Sequence, residues 1–555
     1  MALSRLGSIV GCLAACAMVG CGSSSGNDGA GTGGPHDAGN GDVTSGTGPS
    51  RDAAGAPGDA STPTDAGTPG DAGAPTDGGA ASGPLVQTFV GINGFNWNSA
   101  ADLSVAGSVR EYTDWSWTEG TYPYPHNQDD WYDWSHDAFY ASLTDAGIDP
   151  MPCVEQGVSF VNDGGIPPAN GDPTLPASYA AHADHMFQYA ARYGSTKVAT
   201  DLLKDDAGYT WAFPEPALTG INEIHYFENG NEDDATWILP GGAPLMSATE
   251  MAAMCSADYD GDQGRLGTAF GVKQADPNAK MVLSGMSQAS NVKDAEAYLE
   301  GILQWSQQKR GGSVPFDVIN LHYYDFGPKS TGVSPEDMGL LATMQQYAQW
   351  RDANMPGKEV WVTEFGYDTD PASPLGVPAT IGPNSAFIVQ GQWLVRSMLA
   401  MMQAGIDRSY IYWIADQPCE SDAGNYCAVQ FNTCGLIDAN NAKKASYFMV
   451  NAFRSRLATM RYAATVTSNS ANVDIVSFRD TKSAGGAYVL WAPTSNATVV
   501  KGYALDLGAS ATSATQVLLA DQQMTGVAST LMVSGGKVTV DVTETPTLVL
   551  VDQLP

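Results

Sequence analysis

EIHYFENGNEDD, residues 223–234, is an apolar stretch that runs straight into acid and amide. A strand that ends in Asn231 and Glu232, where its hydrophobic run meets a loop, is either a capped loop or half of a reactive pair. A second carboxylate at a matching strand end elsewhere in the chain decides between the two.

Working outward, the neighbouring sequence repeats the same texture. TFVGINGF (88–95), SVREYTDW (108–115) and IDPMPCVEQ (148–156) precede the stretch. KMVLSGMS (280–287), FDVINLHYY (316–324), EVWVTEFGYD (359–368) and RSYIYWIAD (408–416) follow it. Between these short runs lie helical patterns such as HDAFYASLTDAG (136–147), YAAHADHMFQYAARYG (179–194) and SAFIVQGQWLVRSMLAMMQAG (385–405). Eight strands alternating with helices over about 370 residues predict an α/β fold, a (β/α)8 barrel with insertions, spanning 84–460. After the helical run 443–460, short β-type runs separated by Gly, Ser, Asn and Asp predict a C-terminal antiparallel β-sandwich over 461–555. It is expected to support the barrel rather than bind glycans, since Trp491 is its only tryptophan.

The ends of the chain read differently. Arg5 precedes the apolar run LGSIVGCLAACAMVG, too short for a stable membrane span but suited to a signal peptide. LAAC ending at Cys16 and MVGC ending at Cys21 overlap, and the pattern resembles a bacterial lipoprotein signal (1–21). Cys21 is favoured for lipidation because the polar tail GSSSGNDG starts directly behind it, although LAAC is the better match and ordinary secretion is the alternative. Residues 22–83 contain no aromatic residue and only Val43 among the large aliphatics, so they cannot bury a core. They predict a disordered tether reaching roughly 45 Å. GSSSG (22–26) matches the hydrolase G-x-S-x-G pattern but lacks the strand and helix that give it meaning.

The 555 residues carry a formal charge of −34, which leaves no basic footprint for nucleic acid. The balance fits an exported protein at the cell envelope, anchored through lipid or extracellular, acting on neutral substrates. Export permits disulfides. Cys153, Cys255, Cys419, Cys427 and Cys434 are an odd number, so at least one is unpaired; Cys153 reads as a buried strand thiol, and a bridge within Cys419, Cys427 and Cys434 is expected.

In such a barrel, chemistry sits at the C-terminal strand ends. Glu232 closes the fourth strand, and Glu364 stands near the end of the seventh. An acid inside VWVTEFGY is costly to bury without a purpose. Two carboxylates across a barrel mouth suit glycosidic cleavage, one protonating the leaving oxygen while the other attacks the anomeric centre. Glu228 shares parity with Glu232 but lies deeper, so Glu232 is the favoured acid.

Asn231–Glu232 and Glu364 in this order resemble the signature of the clan A retaining glycoside hydrolases. Across 84–555 the barrel-plus-sandwich plan is similar to family 39 and its relatives. The resemblance implies Glu232 as general acid and base, Glu364 as nucleophile, and Asn231 as donor to the sugar 2-hydroxyl. It implies Arg110 as the strand-two arginine that keeps the nucleophile ionised, His322 and Tyr324 beside it, and Trp413 as an aromatic floor. No metal and no cofactor are required. Arg110 pairing with Asp114 or Glu111, His322 as a core residue, and Trp413 as barrel packing are the plainer readings of these positions.

Trp97, Trp115, Trp117, Trp131 and Trp134 crowd the first strands. Trp115 and Trp117 are expected on a wall of the substrate cleft, whereas Trp131 and Trp134 serve equally as a plug. DYDGDQG (258–264) fails the EF-hand spacing, because Gln263 replaces the turn glycine and Ala269 the bidentate glutamate. HADH puts His182 and His185 one turn apart without an H-E-x-x-H frame, and both are expected to be exposed on a helix. The expected substrate is a polysaccharide or oligosaccharide, with few bases near the motifs to bind sulfated or uronic polymers. A non-catalytic surface glycan-binding lipoprotein is the alternative.

Overall fold

Strands built from continuous apolar runs must be covered on both faces, and a closed barrel ringed by helices does this. The computed structural model describes residues 83–115, 130–131, 134–155, 169–204, 218–239, 241–324, 332–421, 424–425 and 427–555. The signal and tether expectations, Cys16, Cys21 and Trp117 lie outside the described residues, and only the backbone of Trp131 and Trp134 is described.

Eight parallel strands pair in the closed order β1-β8-β7-β6-β5-β4-β3-β2. They are β1 Val90–Gly94, β2 Ser108–Asp114, β3 Asp149–Glu155, β4 Tyr226–Glu228, β5 Lys280–Val282, β6 Val318–His322, β7 Glu359–Phe365 and β8 Arg408–Ile411. The helices that follow β2 to β8 in turn are α1 His136–Asp145, α2 Ala180–Tyr193, α3 Ala248–Asp260, α4 Val292–Arg310, α5 Leu340–Asn354, α6 Ala386–Ala404 and α7 Ala445–Leu457. Their starts follow local chemistry: α3 begins with a reciprocal capping box between Ser247 and Glu250. It ends at Gly261 in the left-handed region, so DYDGDQG forms a helix end and turn.

Side-chain alternation fills the barrel in layers. Met151, Val282, Val318, Trp361 and Tyr410 form an apolar plug. Two residues further along β3, β6 and β7 stand Cys153, Asn320 and Thr363, joined by Arg110 of β2 and Glu228 of β4, all fully buried. The next step brings Tyr112, His322 and Glu364 to the mouth. On β7 the step is irregular, because the register against β6 shifts between Leu321 and His322, pairing His322 with Glu364. Thr363 and Glu364 are adjacent in sequence, yet both reach groups inside the barrel through this bulge.

The outward-facing side of β2 holds a second kind of acid. Glu111 is buried beneath α1 and α2, accepting hydrogen bonds from the Thr113 hydroxyl and from Tyr140 Oη (3.0 Å), while Oε1 has no partner among the described residues. Burial raises its carboxyl to about 8, against the opposing pull of those two hydroxyls. The folded state therefore keeps a proton that the unfolded chain releases near 4.5. Stability from this group is complete at low pH and is lost as pH rises towards 8, with a slope of up to about 1.4 kcal/mol per pH unit. Glu111→Gln keeps the shape without the proton, so its urea midpoint should exceed that of the wild type by an amount that grows from pH 5 to pH 8. A gap that is constant or reversed contradicts this reading.

The C-terminal antiparallel sheets begin at Met460. A six-stranded sheet has the order β9-β10-β11-β16-β13-β14, and β12 pairs with β15. The strands are β9 Met460–Thr465, β10 Asp474–Asp480, β11 Gly486–Trp491, β12 Val499–Asp506, β13 Ala514–Leu518, β14 Val527–Leu531, β15 Lys537–Thr543 and β16 Thr547–Val551. Ile475, Tyr488, Leu490, Leu505, Val540 and Val549 fill the space between the two sheets. The alternate residues Val476, Phe478, Val489 and Leu548 join the barrel's core. Trp491 donates its Nε1–H to Glu336 (3.1 Å), which also pairs with Arg396 on α6. The sole tryptophan of these strands thus serves attachment to the barrel.

Cys419 and Cys427 form a disulfide, whereas Cys153, Cys255 and Cys434 are buried free thiols. The expected exposure of His182 and His185 is corrected: both are buried, because α2 turns this face towards β2 and α3. His182 Nδ1 lies 2.9 Å from Asp258 Oδ1. Among the described residues, no helix is long and apolar enough to cross a membrane.

Candidate active site

The fourth strand ends earlier than its apolar run, at Glu228, and the chain then turns sharply. Asn231 keeps one bridge to Gly285, and Glu232 adopts a left-handed backbone (φ 55°) that side chains other than glycine seldom take. Gly230 makes the turn feasible: its φ is 153°, and a Cβ there would lie 2.2 Å from Asp233 Oδ2. The turn lifts Glu232 out of the strand, leaving 28 % of its side chain exposed, while Glu228 is fully buried.

Glu228 is held bidentately by Arg110, Nε to Oε2 at 2.5 Å and Nη2 to Oε1 at 2.9 Å. The same guanidinium donates Nη1 to Glu364 Oε1 (2.8 Å) and to Asn93 Oδ1 (3.1 Å), and Nη2 to Asn231 Oδ1 (2.8 Å). Arg110 therefore lies inside the barrel, bonded to none of the acids that a solvated pair on β2 would offer. Because Asn231 Oδ1 faces Arg110, its amide Nδ2–H is left to donate elsewhere.

Glu364 is buried and fully engaged. Oε1 accepts from Arg110 and from Tyr112 Oη (2.5 Å), and Oε2 accepts from Tyr324 Oη (2.7 Å). Burial pushes its carboxyl upward, but His322, Arg110 and the two tyrosine hydroxyls outweigh it and hold Glu364 below the usual carboxylate range. Glu232 moves the other way. Its burial raises the carboxyl, and the nearby negative charges of Glu364 and Asp234 add to this, against an opposing pull from His322. His322 Nδ1 sits between them, 3.0 Å from Glu232 Oε1 and 3.5 Å from Glu364 Oε1. Its basicity is raised, since the two carboxylates outweigh burial.

One oxygen of each glutamate and the imidazole nitrogen all fall within 4.8 Å of one another. Oxygens this close accord with the roughly 5–5.5 Å carboxyl separation of a double displacement. Each of the three residues offers one atom of the kind that ligates a cation, and Arg110 and Tyr112 already donate to Glu364 Oε1.

Aromatic residues flank this centre. Trp413 is buried beside Phe95, Tyr112 and Cys434, and the peptide between Tyr412 and Trp413 is cis. Trp97 is 41 % exposed and stacks on Phe95 at 4.2 Å. Phe431, from the segment after the disulfide, packs on Tyr324 (4.9 Å) and Tyr412 (5.0 Å). Trp115 is a correction: it is fully buried and packs against His182 and His185 of α2 rather than on the cleft wall. Arg110 and Tyr112 face inward on β2, so an odd offset turns Trp115 towards the helices.

Asn93, Tyr112, Asn320 and Thr363 are not among the sequence candidates, and Glu228 is one only as the alternative acid. Parity was the available signal for three of them, since Tyr112 stands two residues from Arg110, Asn320 two from His322, and Glu228 four from Glu232. Glu155, at the inward end of β3, also reaches this charge cluster; burial and then Asp114 raise it to about 8.

Three solved structures that share this architecture are glycoside hydrolases. A family 39 glycoside hydrolase from Bacteroides cellulosilyticus aligns over 84 % of this chain and 82 % of its own, at 14 % identity and TM-score 0.53. A glucosidase from Croceicoccus marinus aligns over 86 % and 98 %, at 12 % identity and TM-score 0.54. A family 30 endoxylanase from Clostridium papyrosolvens aligns over 85 % and 98 %, at 12 % identity and TM-score 0.51. No family profile and no curated protein sequence matches the chain. At these identities the likeness shows the fold alone.

Proposed function

We propose that the chain is a retaining glycoside hydrolase acting on a polysaccharide or oligosaccharide by double displacement. The carrying observation is the pair itself: one buried carboxyl held low by Arg110, Tyr112 and Tyr324, facing a second held high by burial, with their oxygens within 4.8 Å. In the first step Glu232 gives its proton to the glycosidic oxygen as the C–O bond breaks, and Glu364 bonds to the anomeric carbon. In the second, Glu232 takes a proton from water, whose oxygen displaces Glu364. Asn231 supports this by offering Nδ2–H to a sugar hydroxyl. Trp97 suits stacking against a pyranose face, whereas Trp413 is buried and packs under the site.

The test is incubation of the purified protein with plant, algal and fungal polysaccharides, following anomeric signals by proton NMR. Release of product with retained configuration supports the proposal. Binding to one polymer without turnover of any would replace it with the non-catalytic glycan-binding lipoprotein.

We further propose that lipid at Cys21 and the 22–83 tether hold the protein at the cell envelope. Cys21→Ser should then move the protein from the membrane fraction to the soluble fraction on expression in a bacterial host. Retention of that variant in membranes argues against Cys21.

A further inference from the structure

The hydrogen bonds behind His322 admit one assignment of donors. Asn320 Nδ2 lies 2.8 Å from Glu228 Oε1 and 3.0 Å from the Leu283 carbonyl, and both are acceptors, Glu228 being paired with Arg110. The amide nitrogen must face them, so Asn320 Oδ1 faces the Thr363 hydroxyl at 2.7 Å. Thr363 gives its only hydroxyl proton to that oxygen. To His322 Nε2, 3.1 Å away, it can offer only a lone pair. Nε2 therefore carries its hydrogen in either protonation state of the ring, and Nδ1 alone exchanges a proton.

We propose that Thr363 and Asn320 are positioning residues that lock His322 in its Nε2–H form, so that Nδ1 receives and returns the proton of Glu232. The proposal rests on Glu232 being the acid/base of the function proposed above. The pair Glu232–His322 holds one proton in the resting state, on Oε1 of the glutamate or on Nδ1 of the ring. When Glu232 protonates a leaving oxygen, its O–H bond breaks, the new O–H forms on the leaving group, and both partners are left without that proton. The proton taken from water restores it. Locking Nε2–H keeps the ring's lone pair, rather than an N–H, turned towards Glu232 whenever the ring is neutral. A neutral ring with hydrogen on Nδ1 would donate to Glu232 and hold it as carboxylate, the wrong form for an acid.

The surroundings leave few other routes. Glu232 and Asp234 face the ring from the segment after β4, Glu364 from β7, and Arg110 acts on it from β2. On the β5 side stands Gly285, where a Cβ would lie 1.9 Å from Nε2, so no side chain competes with Thr363.

The experiment compares wild type, Thr363→Val and Thr363→Ser, labelled with 15N at histidine. The His322 signal is assigned by its loss in His322→Gln. In the neutral ring of the wild type, Nε2 should have the shift of a protonated nitrogen and Nδ1 that of a bare one. Thr363→Val should populate the opposite tautomer and move the alkaline limb of the kcat/KM profile about one pH unit lower. Thr363→Ser should restore both. Thr363→Ala, which adds no bulk, serves as a second variant if valine fails to fold. An unchanged tautomer in the valine or alanine variant overturns the proposal, as does a Thr363→Ser variant that behaves like valine. Absence of turnover in the wild type would overturn the hydrolase reading instead, while the tautomer still decides the role of Thr363 and Asn320.

Discussion

Glu364→Gln should abolish hydrolysis, with kcat lower by roughly 10⁴-fold or more, the scale of losing a nucleophile that forms a covalent intermediate. The amide has the same outline but cannot bond to an anomeric carbon and leave again. The variant should still fold and bind glycan. Arg110 loses one charged partner but keeps both bonds to Glu228, so its buried charge is not left alone. Thermal unfolding and a glycan-binding isotherm, measured beside turnover, separate loss of chemistry from loss of structure. Wild-type turnover in Glu364→Gln would remove the residue from the mechanism.

Glu232→Ala carries the second large effect, and its pattern is more informative than its size. Loss of the acid should slow cleavage of substrates with poor leaving groups by about 10²–10⁴-fold, the usual contribution of a general acid. Aryl glycosides with acidic leaving groups should still form the glycosyl-enzyme, which then hydrolyses slowly because no base activates water. Azide needs no base, so adding it should restore turnover and give a glycosyl azide of retained configuration. The alternative acid, Glu228, is fully enclosed by Arg110 and Asn320 and has no path to a leaving group. An azide product of inverted configuration would mean that the covalent intermediate does not exist.

The barrel is legible in the sequence because eight apolar runs and their intervening helical periods each specify their own element. What misleads is the end of a strand. The apolar run at 223–232 continues past Glu228, but Gly230 and the left-handed Glu232 break pairing there, and backbone geometry of that kind leaves no hydrophobic signature. The β7 bulge is similar: strict alternation from Trp361 puts Thr363 inside and Glu364 outside, whereas the register shift brings both in. The residue type of Trp115 suggests a cleft wall, though its odd distance from Arg110 already places it outside the barrel. His182 and His185 look polar on a helix, but two rings packed on Trp115 and a bond to Asp258 make them part of the wall between α2, α3 and β2. Glu232, Glu364, Arg110, His322 and Tyr324 were reachable from motif order. Parity marks Asn320 and Glu228 as inward-facing too, but what they and Thr363 do becomes visible only when hydrogen-bond partners are known.

The most direct measurement is mass spectrometry of the protein after reaction with a 2-deoxy-2-fluoro glycoside of the sugar identified by the polysaccharide screen. Fluorine at C2 slows the second displacement more than an activated leaving group allows the first to slow, so a covalent intermediate accumulates. One added glycosyl unit per chain is expected, on the peptide that contains Glu364. Full turnover of the parent sugar, with no adduct or with the adduct on another residue, would contradict it.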